Sequence, residues 1–325
     1  MRVTIDGLLE ALTSVLLVVS GAGFLGRVWW ALELASHFRP HLAASLALLC
    51  PIWLARRHRR LAVGCALFAV INALPVLALL WPAAAAGAGA TAPLRVVAIN
   101  VETSNRRADL VLDFLHRADA DVILLMEVDD RWLAALAPLR AAYPHVLAEP
   151  RDDNFGIVLF SRLPTTNSNV IALGDAAVPS IEATVTAGGR QIHLLGTHAL
   201  PPGTPEYARL RNDQFRQIAA HVRRQTLPTV VVGDLNATPW SPYFADLLRE
   251  SGLKNSSQGL GLFGSWPAWL PLGRLPLDHC LISASIQTSG KRVGPQVGSD
   301  HLPVVVELDV NPNGSRAPGR RQPGT

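Results

Sequence analysis

Cysteine is scarce: there are three in 325 residues, Cys50, Cys65 and Cys280. They offer no disulfide framework and no thiolate spacing for zinc. Charge is scarce as well, but only in places. From Leu8 to Gly26 the one charged residue is Glu10, from Phe38 to Ala55 it is Arg39, and from Leu61 to Trp81 there is none. A basic surplus is missing where the overall pI of 9.3 suggests one. Residues 95–309 hold 19 Lys+Arg against 22 Asp+Glu, so the excess belongs to the N-terminal segment and the tail. Phosphate-backbone binding needs a basic surface, and its absence in bulk weighs against a dedicated duplex binder.

The charge-poor runs read as membrane spans, since a helix crossing the hydrocarbon core needs roughly 20 mostly apolar residues. The third is the clearest, and the second is short and interrupted by Pro51. Residues 1–82 are therefore expected to form an anchor of two to three transmembrane helices. A cleaved leader competes for the first run, but its start carries only Arg2, offset by Asp6, and more apolar runs follow. Between the second and third runs lies ARRHRR, Ala55 to Arg60. Short arginine-rich loops stay cytoplasmic, so everything after Trp81 is expected on the extracytoplasmic side.

AAAAGAGATAP, within residues 83–93, is composed as a linker, and residues 311–325 as a disordered tail. Between them, residues 94–310 are long enough to carry their own core without disulfides. Apolar runs such as LRVVAINV, DVILLMEV, QIHLLGTH, TVVVGDLN and PVVVELDV read as strands. Amphipathic stretches at 108–117, 131–139, 206–224 and 243–250 read as helices, which gives an α/β domain. Cys280, inside an apolar run, is expected to be a small buried hydrophobe.

Several strands stop at polar groups of the same kinds. They end at Asn100, Glu127, His198, Asp234 with Asn236, and Asp278, while Asp300 and His301 precede the last strand. Each alone has an ordinary reading: Asn100 as a turn residue, Glu127 as part of an acidic helix start, Asp234 and Asn236 as a turn closure. Together they place carboxylates, amides and imidazoles where α/β proteins carry their chemistry.

Taken in order, IN, MEV, GTH, GDLN, LDH and SDH resemble the endonuclease/exonuclease/phosphatase superfamily over about residues 94–309. The GDLN and SDH pair is the most specific part. With SWPA and the preceding apolar runs, the chain is similar to the bacterial membrane-anchored branch. The resemblance implies a deoxyribonuclease I-like α/β sandwich behind an N-terminal helical membrane anchor. It implies a metal-dependent hydrolase of phosphate esters, of the phosphodiesterase or nuclease type. Mg²⁺, with Mn²⁺ as a substitute, would be held by Glu127, with Asn100 and Asp300 beside it, an oxygen set suited to a hard cation. Asp234 would orient and deprotonate the attacking water, and Asn236 would bind the phosphate or hold that water. His301, backed by Asp278, would act either as base or as phosphate stabiliser. His198 would bind a phosphate oxygen or protonate the leaving group. His279 has no role in the motif and is expected to be structural.

Two features depart from the pattern. The helix carrying Arg209, Arg211, Asn212 and Gln214 is expected near the site, yet no tyrosine of the exonuclease type is identifiable there. The segment Leu262 to Asp278 carries Trp266 and Trp269, which fill the core, touch lipid or stack a base, with core filling the default. The expected protein is thus a membrane-anchored, Mg²⁺-dependent phosphoesterase. A nuclease on extracytoplasmic nucleic acid is the runner-up, and an idle membrane scaffold is the alternative from another class.

Overall fold

The computed structural model describes residues 4–82 and 92–310. The N-terminal part holds four helices: α1 (Ile5–Ala22), α2 (Trp30–Ser36), α3 (Arg39–Ala55) and α4 (Arg59–Leu80). By length and composition α1 and α4 suffice to cross a membrane, and α2 with α3, bent by 62°, pass together as a third candidate. Pro51 is carried inside α3 without ending it. Leu46, Leu49 and Trp53 of α3 pack on Ala62, Cys65 and Ala69 of α4. The small residues of α4 let the two backbones approach closely. Outward faces are apolar, with Leu12, Val15, Leu67 and Val70 all exposed.

The rest is a sandwich of two six-stranded sheets. In chain order it comprises β1 (Ala92–Asn100), α5 (Ala108–Ala118), β2 (Val122–Met126), α6 (Asp130–Ala135), β3 (His145–Glu149) and β4 (Ile157–Ser161). There follow β5 (Thr165–Ala172), β6 (Pro179–Ala187), β7 (Arg190–Thr197), α7 (Pro205–Arg223), β8 (Thr229–Asp234) and α8 (Pro242–Ser251). The chain closes with β9 (Lys254–Asn255), β10 (Asp278–Ile282), β11 (Ile286–Val293) and β12 (Val304–Val310). One sheet runs β11-β12-β1-β2-β4-β3 and the other β5-β6-β7-β8-β10-β9. The first strand already begins at Ala92, inside the segment expected as linker, whose remainder at 83–91 lies outside the described residues, as does the expected tail at 311–325.

Period-two alternation decides what each strand face meets. Val96, Ala98, Leu124, Leu194, Val232 and Cys280 point into the layer between the sheets. Val97, Ile99 and Leu125 face α5 and α6, against Phe114 and Trp132, while Leu195 and Val231 face α7 and α8. Strands buried on both faces therefore read as nearly unbroken apolar runs. β1 pairs parallel with β2, and β7 with β8, so their C-terminal ends emerge along one edge of the sandwich. β10 runs antiparallel to β8 and brings Asp278 opposite Asp234 at that same edge.

The helical part meets the sandwich near this edge. Glu33 of α2 forms a fully buried ion pair with Arg211 of α7, at 2.5 Å, and accepts a hydrogen bond from Ser241 at 2.6 Å. Trp240 Nε1 donates to the His37 carbonyl, and Gln258 donates to the carbonyls of Ala78 and Trp81 at the end of α4. The arginine-rich turn after α3 lies at the other end of the helices, where Arg56 pairs with Asp6.

Candidate active site

Four strand ends and the Asp300–His301 loop line one cleft of about 550 Å³, while Asp278, expected at the end of a strand, begins β10 instead. Asn100, Glu127, His198, Asp234, Asn236, Asp300 and His301 all border it, and Asp278 lies directly behind His301.

The backbone is bent to achieve this. Glu127 and Asn236 both sit in the left-handed region, at φ 62° and 47°, which costs a residue with a Cβ about 1–2 kcal/mol. Such outliers persist where surrounding contacts fix them. For Glu127 the contacts are Asn100 Nδ2 donating to Oε1 at 2.8 Å, and Thr103 Oγ1 donating to its carbonyl at 3.0 Å. Asn236 donates from its backbone N–H to Asp234 Oδ1 at 2.8 Å and from its amide to the Ala199 carbonyl at 2.9 Å. Gly233, before Asp234, has φ 144°, and a Cβ there would meet the Thr197 carbonyl oxygen at 1.8 Å. Only glycine lets β8 pass so close to β7.

Electrostatics centres on three buried groups. His301 Nδ1 lies 2.8 Å from Asp278 Oδ2, and its Nε2 lies 3.5 Å from Asp234 Oδ2. Burial alone would strip the imidazole of its proton, but the two carboxylates outweigh it and raise the pKa well above the ordinary value. Asp278 is held low by that cation against the opposing effect of burial. Asp234, fully buried and shared less closely with His301, is pushed up by burial first and Asp278 second, to about 7. His198, 3.7 Å from Asp234, is driven down by burial, with the nearby His301 charge adding to it, to about 4, and is therefore neutral. Two carboxylates on adjacent strands have their pKa values separated by one histidine, an arrangement suited to acid–base chemistry.

The geometry separates carboxylates open to the cleft from side chains that brace them. Glu127 is pushed up by burial, and such a carboxylate gains from a cation beside it. Asp300 also borders the cleft, with Oδ2 accepting from Trp266 Nε1 at 3.0 Å. These oxygens suit a hard divalent ion. Asn100 turns Nδ2 toward both Glu127 and Asp234, while its Oδ1 accepts from the Glu102 N–H, so it braces the carboxylates. Asp234, Asp278 and His301 are also close enough to enclose an ion, but His301 is cationic and committed to Asp278. A second Glu/His group, Glu182, His193 and His221, lies outside the cleft.

Other expectations change. Arg211 does not line the cleft, because Glu33 holds it fully buried. Tyr207, from the first turns of the same helix, does line it, a tyrosine that the motifs did not point to. Trp269 is not core: it is 72% exposed, whereas Trp266 borders the cleft. His279 is structural, buried against Phe244 with Nε2 on the Ala237 carbonyl. Phe155, tilted against His198, and Leu34, His37 and Phe38 from the helical part had no signal in the motifs.

The sequence profile of the endonuclease/exonuclease/phosphatase family matches residues 97–301, which is most of the chain. The chain belongs to this family. It is accordingly a metal-dependent hydrolase of phosphate ester bonds. Solved structures share its fold at low identity. An endonuclease/exonuclease/phosphatase from Bacteroides vulgatus is 18% identical, with a TM-score of 0.59 over 67% of this chain and 99% of that one. TDP2 from D. rerio complexed with single strand DNA product is 16% identical, TM-score 0.57, over 66% and 98%. The human Nocturnin catalytic domain with bound sulfate is 21% identical, TM-score 0.55, over 68% and 96%. No curated protein sequence matches the chain.

Proposed function

We propose that this family member is a membrane-anchored phosphoesterase that hydrolyses a phosphodiester, or a phosphomonoester, by direct attack of water, with Mg²⁺ as its natural ion and Mn²⁺ as a substitute. The observation that carries the reading is the Asp234–His301–Asp278 array beside Glu127. Asp234, poised near neutrality, takes the proton from the attacking water. The water oxygen bonds to phosphorus, the ester P–O bond breaks, and solvent supplies the proton that completes the leaving alcohol. His301, held as a cation by Asp278, donates from Nε2 to the charge that builds on the phosphoryl oxygens, which favours stabiliser over base. Neutral His198 and the fixed amide of Asn236 orient the phosphate. Glu127 and Asp300 would hold the ion, with Asn100 bracing them, and the ion would polarise the phosphoryl group and offset leaving-group charge.

Among the described residues lining the cleft there is no Lys or Arg, which supports a small or lipidic ester over a nucleic acid as substrate. An idle scaffold has no need of two buried carboxylates, Asp234 and Asp278, crowded beside a half-buried third, Glu127.

Asp234→Asn should cut turnover of an aryl phosphodiester by about 10²–10⁴ while thermal unfolding is unchanged. Near wild-type rates would remove Asp234 from its role. The orientation rests on the arginine-rich turn lying at the far end of the helices from the sandwich. A phosphatase reporter fused after Thr325 should be active outside the cytoplasm, and activity only inside would reverse the topology.

A further inference from the structure

The cleft is not built by the sandwich alone. Leu34, His37 and Phe38, from the corner between α2 and α3, form one wall of it. That corner is fixed in place. Glu33 is paired with Arg211 inside the protein, His37 Nδ1 lies 2.9 Å from Thr238 Oγ1, and Trp240 Nε1 donates to the His37 carbonyl at 3.0 Å. Thr238 and Trp240 belong to the segment that follows Asp234 and Asn236, so the anchor is bonded to the loop that carries the catalytic pair.

The wall that the anchor contributes is largely apolar, and so is much of what faces it, including Phe155, Leu275 and Leu277. Next to Leu275 the chain makes a loop whose tip is apolar and outward-facing: Trp269 is 72% exposed and Leu272 92%. The Leu272 carbonyl accepts from His41 Nε2 at 3.0 Å at the head of α3, so the loop continues from the outer surface of the helices. Phe24, Leu25, Val28 and Trp29, between α1 and α2, extend the same kind of surface and are exposed too. An apolar surface running from transmembrane helices to a catalytic cleft is wasted on a substrate arriving from water. A tryptophan at such a rim belongs at the headgroup level of a bilayer.

From this continuity, and resting on the phosphoesterase reading above, we infer that the substrate is a lipid phosphoester drawn from the surrounding bilayer. Its phosphate reaches Asp234 and His301 while its chains lie along Leu34 and Phe38 toward the membrane. Leu34 and Phe38 are then specificity-determining residues supplied by the anchor, and Trp269 and Leu272 seat the mouth of the cleft in the headgroup layer. In the hydrolysis the phosphoryl group gains the water oxygen and the ester oxygen leaves with its proton, so one product stays in the bilayer and the other departs into water.

The test uses the full chain in nanodiscs with Mg²⁺ and two probes. One is water-soluble bis(p-nitrophenyl) phosphate, and the other is a panel of long-chain phospholipids in the disc, glycerol- and sphingoid-based, with the released product measured by mass spectrometry. The wild type should hydrolyse at least one lipid. Trp269→Ser with Leu272→Ser should lower that rate tenfold or more while hydrolysis of the soluble diester is unchanged. Phe38→Ala should raise KM for the lipid more than it lowers kcat. Hydrolysis of the soluble diester by a wild type that leaves every lipid intact would overturn the lipid assignment and keep the hydrolase. So would lipid hydrolysis indifferent to the loop variant. Silence on both probes with metal bound would sink the hydrolase reading, and the lipid assignment with it.

Discussion

The helical part and the sandwich sort their residues in opposite ways. Val70 on α4 is 58% exposed among other apolar side chains, and inside the bundle Trp53 Nε1 donates to Thr13 Oγ1 while Asn72 donates to the Phe68 carbonyl. On the strands of the sandwich the apolar residues are mostly inside, and an exposed valine such as Val170, at 37%, follows a polar run on β5, while the larger exposed apolar residues sit on loops such as that of Trp269 and Leu272. The same chemistry, matching each face to what surrounds it, yields both patterns if one part is solvated by hydrocarbon and the other by water. The two regimes meet at α2, where a carboxylate from the apolar part is neutralised by a guanidinium from the polar one.

Breaking that meeting point should have the largest effect on stability. Arg211→Ala leaves Glu33 buried without its counter-ion, with only the Ser241 hydrogen bond remaining, an uncompensated charge worth about 3–5 kcal/mol. Thermal unfolding of the full chain should drop sharply, and the double variant Arg211→Met with Glu33→Gln should recover much of the loss. A single variant with wild-type unfolding would mean that the pair does not join the two parts. The difference in surroundings can be sharpened with one substitution made twice. Val70→Arg should cost about 2.5–3.5 kcal/mol of membrane insertion, read from a glycosylation-tag assay, while Val170→Arg should stay within about 0.5 kcal/mol by thermal unfolding. Equal tolerance at both positions would erase the distinction.

The smallest effect concerns pH and the sandwich alone. Burial pushes His279 down from the ordinary 6.5 to about 4. Between those values the unfolded chain takes up a proton that the folded chain refuses, so stability present above about 6.5 is lost as pH falls toward 4, and no further loss comes from this group below that. His279→Gln should flatten part of the slope measured by denaturant unfolding across that window. An unchanged slope would assign the acid sensitivity to other groups, His198 among them.

Much of this was legible in the sequence because buried strands announce their own ends. An apolar run that stops at Asn100, Glu127 or Asp234 marks a boundary between core and solvent, and parallel pairing of β1 with β2 and β7 with β8 carries those boundaries to one edge. What stayed hidden lies on elements whose facing is set by tertiary packing. Tyr207 and Arg211 are one helical turn apart on α7, yet one borders the cleft and the other is sealed against Glu33. Spacing alone predicts that they share a side; it does not say which partner waits there. Trp269 departs from the default that aromatic residues go inside, since it stands on an exposed loop tip whose facing the spacing of the chain does not reveal. The wall from Leu34 and Phe38 had no signature, since apolar residues in an apolar segment look alike whether they face lipid or substrate.

The ion pair across α2 also bears on how the protein is made. Glu33 precedes Arg211 by 178 residues, so at about 5–20 residues per second it emerges roughly 10–35 seconds before its counter-ion exists. For that interval the carboxylate has no counter-ion and must remain hydrated, because an unpaired charge is costly to bury. Closure of the sandwich then buries Glu33 against Arg211, and a chain whose catalytic domain misfolds is left with an exposed acidic α2 that quality-control proteases can recognise.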